Sequence, residues 1–139
     1  MGTRSITHIH EMKSLDVDER IVCSFFRSFD GYPTAHGKDL SEWLKIKGLK
    51  NGIGADFIEG VHFNRAGSMA VKLCNHIHDE AGCEIIQTGE TNACIDFEYH
   101  IYFDTEFKVK VISCGKEITK TAEEFDSDAI HAFFCDDEN

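Results

Sequence analysis

A change of periodicity at the only proline of the chain most constrains the fold. Residues 20 to 29 read as a strand because apolar side chains fill both of its faces. Gly31 and Pro33 then end the strand: glycine accepts a positive φ without a Cβ clash, and proline cannot donate to a sheet ladder. Helical spacing follows at Leu40, Trp43 and Leu44. The stretch therefore predicts a strand, a tight turn and a helix in succession.

The rest of the chain predicts further strands and two more helices. Residues 3 to 10 are rich in β-branched side chains, residues 83 to 87 form a short apolar run, and Phe107 to Val111 alternate with lysines. Between 94 and 104 the alternation is regular, with the apolar residues Ile95, Phe97, Tyr99, Ile101 and Phe103 on one face and Asp96, Glu98, His100, Tyr102 and Asp104 on the other. Helices are predicted over residues 63 to 80 and near 121 to 134.

These elements predict an α+β fold in a single domain over residues 1–139. We expect an antiparallel sheet of about five strands, with two to three helices packed on one face. Length is consistent with one core, since a chain of 139 residues buries about two thirds of its unfolded surface. The acidic tail, residues 136 to 139, is expected to be frayed.

Charge and hydropathy limit the classes of partner. The formal net charge of −11 argues against a nucleic-acid polymer, whose binding depends on many contacts from lysine and arginine to phosphate. A small anion in a local pocket remains compatible with that charge, because distant charges are screened. No apolar run reaches the roughly 18 residues that a membrane span needs. With no signal-peptide core at the start of the sequence, we expect a soluble cytoplasmic protein.

The cysteines and histidines do not predict a metal or a cofactor. Six cysteines are dispersed without a Cys-x-x-Cys pair, which disfavours a zinc ribbon or a thioredoxin-type site. His8 and His10 would share a face of a strand, in a geometry that zinc can use, but the spacing identifies no further ligand. His76 and His78 would point apart on a helix. The prediction is therefore no metal site and no cofactor.

Catalytic motifs are also missing from the sequence, which favours binding over catalysis. There is no Walker loop, no repeated His-x-Thr/Ser pattern of the two-histidine phosphoesterases, and no pair of catalytic carboxylates on a recognisable scaffold. Asn51 lies in a glycine-rich loop, a weak signal that in most proteins marks only a turn between two helices. Arg65, in the first turn of a predicted helix, is suited to a phosphate but equally to simple exposure.

The turn region itself carries the strongest candidates for a ligand site. Arg27, between Phe26 and Phe29 on an apolar strand, needs a partner, for which Asp30 and an anionic ligand are both candidates. Phe29 and Tyr32 present flat faces on which adenine can stack, although aromatic residues in a sheet more often belong to the core. The region is either a decorated turn or the wall of a pocket for a flat anion.

The sequence resembles a known family at these residues. Gly2-Thr3-Arg4-Ser5 at the start, Phe29-Asp30-Gly31-Tyr32-Pro33 with His36-Gly37, and Asn51-Gly52 after a helix are similar to the phage-encoded Thoeris anti-defence sponges. The similarity covers about the first half of the chain. Near the second predicted helix the family favours a glycine pair, where this chain has Asn64-Arg65-Ala66-Gly67.

The resemblance implies a protein that binds without catalysing a reaction. Members of that family sequester cyclic ADP-ribose isomers made by host TIR-domain enzymes, and some capture cyclic oligonucleotides, as homodimers or larger homo-oligomers with ligands at subunit interfaces. Carried onto this chain, the resemblance implies that Arg4 and Arg27 bind phosphates and that Phe29 and Tyr32 stack on a base. His36 or Asn51 would contact ribose or base, and Asp30 and Arg65 complete the candidate set.

Two alternatives remain open at this point. One is an enzyme that degrades the same cyclic nucleotide. The other is an acidic protein-binding inhibitor, for which the net charge of −11 is the motive. An acidic mimic of nucleic acid would present its carboxylates in rows, whereas the acids here are scattered along the chain.

Overall fold

The structure is a computed structural model that describes residues 3–12, 19–46, 50–51, 62–63, 65–77, 82–90, 95–103 and 107–135. Its elements in chain order are strands β1 (Ser5–Glu11) and β2 (Arg20–Arg27), a π-helical turn (Pro33–Gly37), helix α1 (Lys38–Ile46), strands β3 (Lys50–Asn51) and β4 (His62–Phe63), helix α2 (Arg65–Ile77), strands β5 (Cys83–Ile86), β6 (Phe97–Phe103), β7 (Phe107–Ser113) and β8 (Lys116–Thr121), and helix α3 (Ser127–Cys135).

Six strands form one sheet in the order β5-β2-β1-β6-β7-β8, and β3 and β4 form a separate two-stranded ladder. The α+β prediction is confirmed. The expectation of a purely antiparallel sheet was wrong in one place: β6 runs parallel to β1, with Ser5 opposite Phe97 and His8 opposite His100. Both strands alternate in the same way along their length, so the sequence pattern carries no information about their relative direction.

One face of the sheet packs against the helices and forms the core. Ile9 of β1, Phe25 of β2, and Tyr99 and Ile101 of β6 lie on this face and are buried. Leu40 and Trp43 of α1, Met69, Leu73 and Ile77 of α2, and Ile130 of α3 pack in the same hydrophobic cluster. Because residues two apart on a strand share a face, their strand neighbours face the other way.

The opposite face of the sheet is polar and carries histidines. By the same alternation it presents Ile6, His8, His10, Ser24, Glu98, His100, Tyr102 and Lys110. Several of these side chains are nevertheless buried, including Ile6, His8 and Ser24. A polar face that is also buried is a place where every donor and acceptor needs a partner.

Strand β8 is the main element that the sequence analysis missed. It follows a two-residue turn, Cys114-Gly115, in which both residues have positive φ, 52° and 79°. Type I′ hairpin turns require this conformation, and asparagine or aspartate before glycine is their usual sequence signal. Because cysteine is not a usual signal for this turn, the hairpin was not predicted from the sequence. No helix among the described residues is long and apolar enough to cross a membrane.

Candidate functional site

Arg27 lies inside the chain, and two of its contacts fix the turn that follows β2. Its side chain is 7% exposed, its Nε donates to the carbonyl oxygen of Phe29 at 2.7 Å, and its Nη1 lies 3.1 Å from Nδ1 of His36. The sequence suggested Asp30 or an anion as the partner of Arg27, whereas these two contacts are to the carbonyl of Phe29 and to His36. The guanidinium fixes the backbone of the turn that follows β2.

His36 completes this network as a neutral imidazole. A guanidinium can only donate, so Nδ1 of His36 accepts from Arg27 and the ring proton sits on Nε2. That Nε2 lies 2.8 Å from Oγ1 of Thr7 and donates to it. Burial and, next, the positive charge of Arg27 lower the pKa of His36 to about 3. Together, Thr7, Arg27, His36 and Tyr99 with the carbonyls of Phe29 and Gly31 are called the turn network below.

Gly31 is required in the turn network by close approach rather than by its φ. Its carbonyl accepts from the hydroxyl of Tyr99 at 2.6 Å, and its N–H donates to the carbonyl of Thr3 at 3.0 Å. A Cβ at Gly31 would stand 2.8 Å from Cβ of Ser5, closer than real atoms approach. The positive φ that the sequence suggested for Gly31 belongs instead to Asp30, at 58°.

The other predicted residues near the turn lie at the surface. Phe29 is 51% exposed, and Asp30 is exposed and accepts from the hydroxyl of Tyr32 at 3.3 Å. The ring of Tyr32 meets that of His131 edge-on, with centroids 6.1 Å apart. Phe29 is therefore outside the core. The general rule for aromatic residues in a sheet would have placed it inside the core.

Arg4 lies just before β1 and is partly exposed. Its backbone N–H donates to Oδ2 of Asp96 at 2.8 Å, and its Nε lies 3.9 Å from the same oxygen. The neighbouring Thr3 is the residue that contacts Gly31, so Arg4 stands one position from the turn network. At that exposure and distance the ion pair contributes little to stability, about 0–1 kcal/mol, and leaves the guanidinium able to meet an anion.

Asn51 and Arg65 stand elsewhere in the fold. Asn51 is the second residue of β3, opposite Phe63 of β4, and Arg65 is the first residue of α2. Their side chains lie outside what the structure describes. The structure thus brings Arg27 and His36 together, joins Asp30 to Tyr32, and sets Phe29 and Arg4 at the surface beside them.

A second group of side chains, on the opposite face of the sheet, was only half anticipated. His8 and His10 do share a face of β1, and the parallel pairing with β6 adds His100 and Glu98. Nε2 of His100 lies 2.6 Å from Oε1 of Glu98, and Nε2 of His8 lies 3.6 Å from the same oxygen. These four residues are called the histidine cluster below.

The remaining contacts of the histidine cluster link it to its surroundings. Nδ1 of His100 lies 2.7 Å from Nε2 of His10, and Nδ1 of His8 lies 2.7 Å from Oγ of Ser24. Burial, and after it electrostatic coupling to His100, His8 and Lys110, lower the pKa of His10 to about 4. The pKa values of His8 and His100 are also lowered, chiefly by burial, so all three imidazoles are neutral near pH 7.

The sequence indicated the two histidines of β1 in the cluster but not the two residues of β6. The His8-x-His10 pair indicated two imidazoles on one face, whereas Glu98 and His100 read as ordinary positions on the solvent side of a half-buried strand. Only the pairing of β1 with β6 brings residues 90 positions apart into contact. Of the other histidine pair, His76 contacts Asp39 at 3.1 Å, and His78 lies outside the described residues.

Comparison with known proteins adds no relative to this geometry. No protein-family model, no curated protein and no solved structure matches this chain.

Proposed function

We propose that this protein binds and sequesters a small cyclic nucleotide, in the manner of the anti-defence sponges that its first half resembles, without converting it. The observation that carries the proposal is the exposure of Phe29. A large aromatic ring stands in solvent on a turn whose backbone is fixed by buried hydrogen bonds from Arg27 and Tyr99. Such a ring is a preformed stacking surface for a purine.

The turn network gives that surface the rigidity that capture needs. A protein that removes a signal at micromolar concentration must bind at nanomolar Kd, about −12 kcal/mol. Affinity of that size requires a site that loses little freedom when the ligand arrives. Arg27 and His36 are in this view positioning residues, because their polar atoms are engaged with Phe29 and Thr7 inside the chain.

The contacts to the ligand then fall to the exposed residues. Base stacking contributes about 1–3 kcal/mol per base, and Phe29 is the ring placed to provide it. Arg4, one residue from the contact between Thr3 and Gly31, offers a charge-assisted contact to a phosphate. In this proposal two copies of the chain enclose the ligand between them and exclude water from it, in the cytoplasm of an infected host cell.

The test uses purified protein and a panel of cyclic nucleotides: cyclic ADP-ribose, its isomers, and cyclic di- and trinucleotides. Calorimetry measures binding, and heating followed by mass spectrometry identifies what is released. We expect nanomolar binding of at least one of these compounds and release of the intact molecule. Release of a hydrolysed product would instead indicate an enzyme, and absence of binding across the panel would contradict the proposal.

Variants locate the site in the same assay. Phe29→Ala and Arg4→Gln remove exposed groups, so we expect folded proteins with about 5- to 150-fold weaker binding, as the loss of one stacked base or one phosphate contact predicts. Phe133→Ala is the matched control, because Phe133 is also an exposed phenylalanine but lies on α3 against Lys116. Arg27→Ala is a poor test of contact, since it would also disturb the turn.

A further inference from the structure

The histidine cluster contains groups that nothing in the proposed function uses. His8, Glu98 and His100 each offer one metal-binding atom, and the three atoms lie within 4.8 Å of one another. They come from two adjacent strands in the middle of the six-stranded sheet, where backbone ladders on both sides hold them. Strand positions of this kind fix side chains more accurately than loops do.

The hydrogen bonds define where the ring protons lie in this state. A carboxylate only accepts, so the 2.6 Å contact to Glu98 is a donation from Nε2–H of His100. An imidazole with its one ring proton on Nε2 accepts at Nδ1, so the 2.7 Å contact is a donation from Nε2–H of His10 to Nδ1 of His100. The remaining nitrogen of His10, its Nδ1, is consequently left without a proton.

That nitrogen is the unusual feature of the cluster. His10 is 8% exposed, and its Nδ1 has no hydrogen-bond partner among the described residues. Oε2 of Glu19 lies 3.7 Å from this nitrogen, so an unprotonated lone pair faces a carboxylate. A buried polar atom without a partner is destabilising by about 1–3 kcal/mol, and one beside a like partial charge calls for an explanation.

We propose that His8, Glu98 and His100 form a binding site for a divalent transition-metal ion such as Zn²⁺. The ligands are Nε2 of each imidazole and one carboxylate oxygen of Glu98. A metal on Nε2 of His100 moves its ring proton to Nδ1, which donates to Nε2 of His10. The proton of His10 then sits on Nδ1 and faces Glu19. Two tautomer shifts, with no net change in protons, give the orphaned nitrogen a carboxylate partner.

The second imidazole already has the support that a metal-bound histidine needs. Metal-ligating histidines commonly donate their other ring N–H to an oxygen, which fixes the ring and its tautomer. Nδ1 of His8 lies 2.7 Å from Oγ of Ser24, and that oxygen is held in place by the backbone N–H of Gly89 at 2.9 Å. With the proton of His8 on Nδ1, its Nε2 is free to bind the ion.

The donor set indicates the class of metal. Two imidazoles and one carboxylate suit Zn²⁺, and the same set with open positions also suits Fe²⁺ or Co²⁺, whereas Mg²⁺ and Ca²⁺ prefer oxygen alone. Metal bonds of about 2.0–2.1 Å separate tetrahedral ligands by roughly 3.3 Å. The pair His8–Glu98 is near that separation at 3.6 Å, and the pair His100–Glu98 must open from 2.6 Å by rotation of the half-buried Glu98.

The decisive measurement follows the ring protons in the full-length protein. The apoprotein is made with a chelator and kept reduced, and ¹⁵N NMR of the imidazoles is recorded before and after one equivalent of Zn²⁺. We expect the proton of His10 to move from Nε2 to Nδ1 as Zn²⁺ binds, and Co²⁺ to give the visible absorption of a low-symmetry site. Failure of both Zn²⁺ and Co²⁺ to bind, or binding with the His10 tautomer unchanged, would overturn the proposal.

Variants distinguish Zn²⁺ binding at this site from binding at cysteines or at other histidines. We expect Glu98→Gln and His100→Gln to weaken Zn²⁺ binding at least 100-fold, and His10→Gln to weaken it about 10- to 100-fold, as loss of a supporting contact does. His76→Gln and Cys74→Ser are controls, since His76 pairs with Asp39 and Cys74 lies on α2 beside Cys23. Retention of binding in Glu98→Gln with loss in Cys74→Ser would place the ion elsewhere. If His100→Gln does not fold, Glu98→Gln decides, because its side chain is the most exposed of the ligands.

Discussion

His36 is a buried, neutral histidine whose two ring nitrogens both make hydrogen bonds. Its two nitrogens have opposite roles: Nδ1 accepts from Arg27 and Nε2 donates to Thr7. Protonation would place a second positive charge beside the guanidinium in a site without solvent, which is why the pKa of His36 falls to about 3. Arginine at position 27 is therefore tolerated in the interior because a neutral imidazole and a carbonyl accept its protons.

A prediction follows for stability at acid pH. The pKa of His36 is about 6.5 unfolded and about 3 folded, so the unfolded state binds the proton more readily between these values. His36 therefore contributes stability in full above about pH 6.5, and the contribution is lost as the pH falls toward 3. The expected slope from this one group is at most about 1.4 kcal/mol per pH unit.

His36→Gln tests that prediction, because glutamine keeps an acceptor for Arg27 and a donor for Thr7 but does not titrate. Urea unfolding from pH 7.5 to pH 4 should show a shallower loss of unfolding free energy in the variant than in the wild type. The other buried histidines titrate equally in both proteins and cancel in the difference. Parallel pH profiles would show that His36 is not coupled to folding in this way.

At the scale of single elements, two glycines illustrate opposite reasons for the same residue. Gly31 lies in the turn after β2, and the space where its side chain would stand is filled by Ser5 and the carbonyl of Thr3. Gly67, in the first turns of α2, has nothing within 4 Å of the place where a Cβ would stand. The first glycine is demanded by packing, whereas the second only lowers the helix propensity of its segment.

We accordingly expect opposite effects of the same substitution. Gly31→Ala forces atoms together at 2.8–2.9 Å and should lower the free energy of unfolding by about 1–3 kcal/mol. Gly67→Ala should raise it by about 0.5–1 kcal/mol, because alanine loses less backbone entropy in a helix. Thermal unfolding of both variants beside the wild type measures the two effects. A stabilised Gly31→Ala protein would mean that the turn has room which the structure does not show.

Across the whole molecule, charge is the property that the fold leaves uncompensated. With 14 basic and 25 acidic side chains the chain carries a net charge of −11. The described ion pairs lie mostly at the surface, for example Lys38 with Glu42 and Arg4 with Asp96, where each contributes about 0–1 kcal/mol. Repulsion among the surplus carboxylates should therefore oppose the compact state at low ionic strength.

We expect added salt to stabilise the protein near neutral pH. Raising NaCl from about 0.01 M to 0.15 M shortens the screening length from roughly 30 Å to 8 Å, which weakens long-range repulsion more than contacts within ion pairs. The Tm at pH 7.5 should rise by a few degrees, because an increase of about 1 kcal/mol in the free energy of unfolding raises the Tm of a domain of this size by that amount. Near pH 5, close to the sequence pI of about 5.0, the same salt step should have little effect. A Tm that falls with salt at pH 7.5 would contradict this balance.

The local features of this protein follow from patterns in its amino-acid sequence. Period-two and helical spacing predicted β1, β2, β5, β6 and β7 and the three α-helices, because side-chain direction follows from backbone geometry over a few residues. The strand, turn and helix around Gly31 and Pro33 follow from the same local chemistry. The hairpin to β8 was missed, since Cys114 takes the positive φ that asparagine usually signals.

Tertiary structure alone decided which distant residues meet and how buried they are. The sequence placed Arg27 and His36 among the contacts to a ligand, whereas packing against Tyr99 and Thr7 encloses both of them. It also placed His100 at the solvent side of a strand, while parallel pairing of β6 with β1 sets it against His8 and His10. Burial and strand partners depend on contacts across some 90 residues of chain, and no local pattern encodes them.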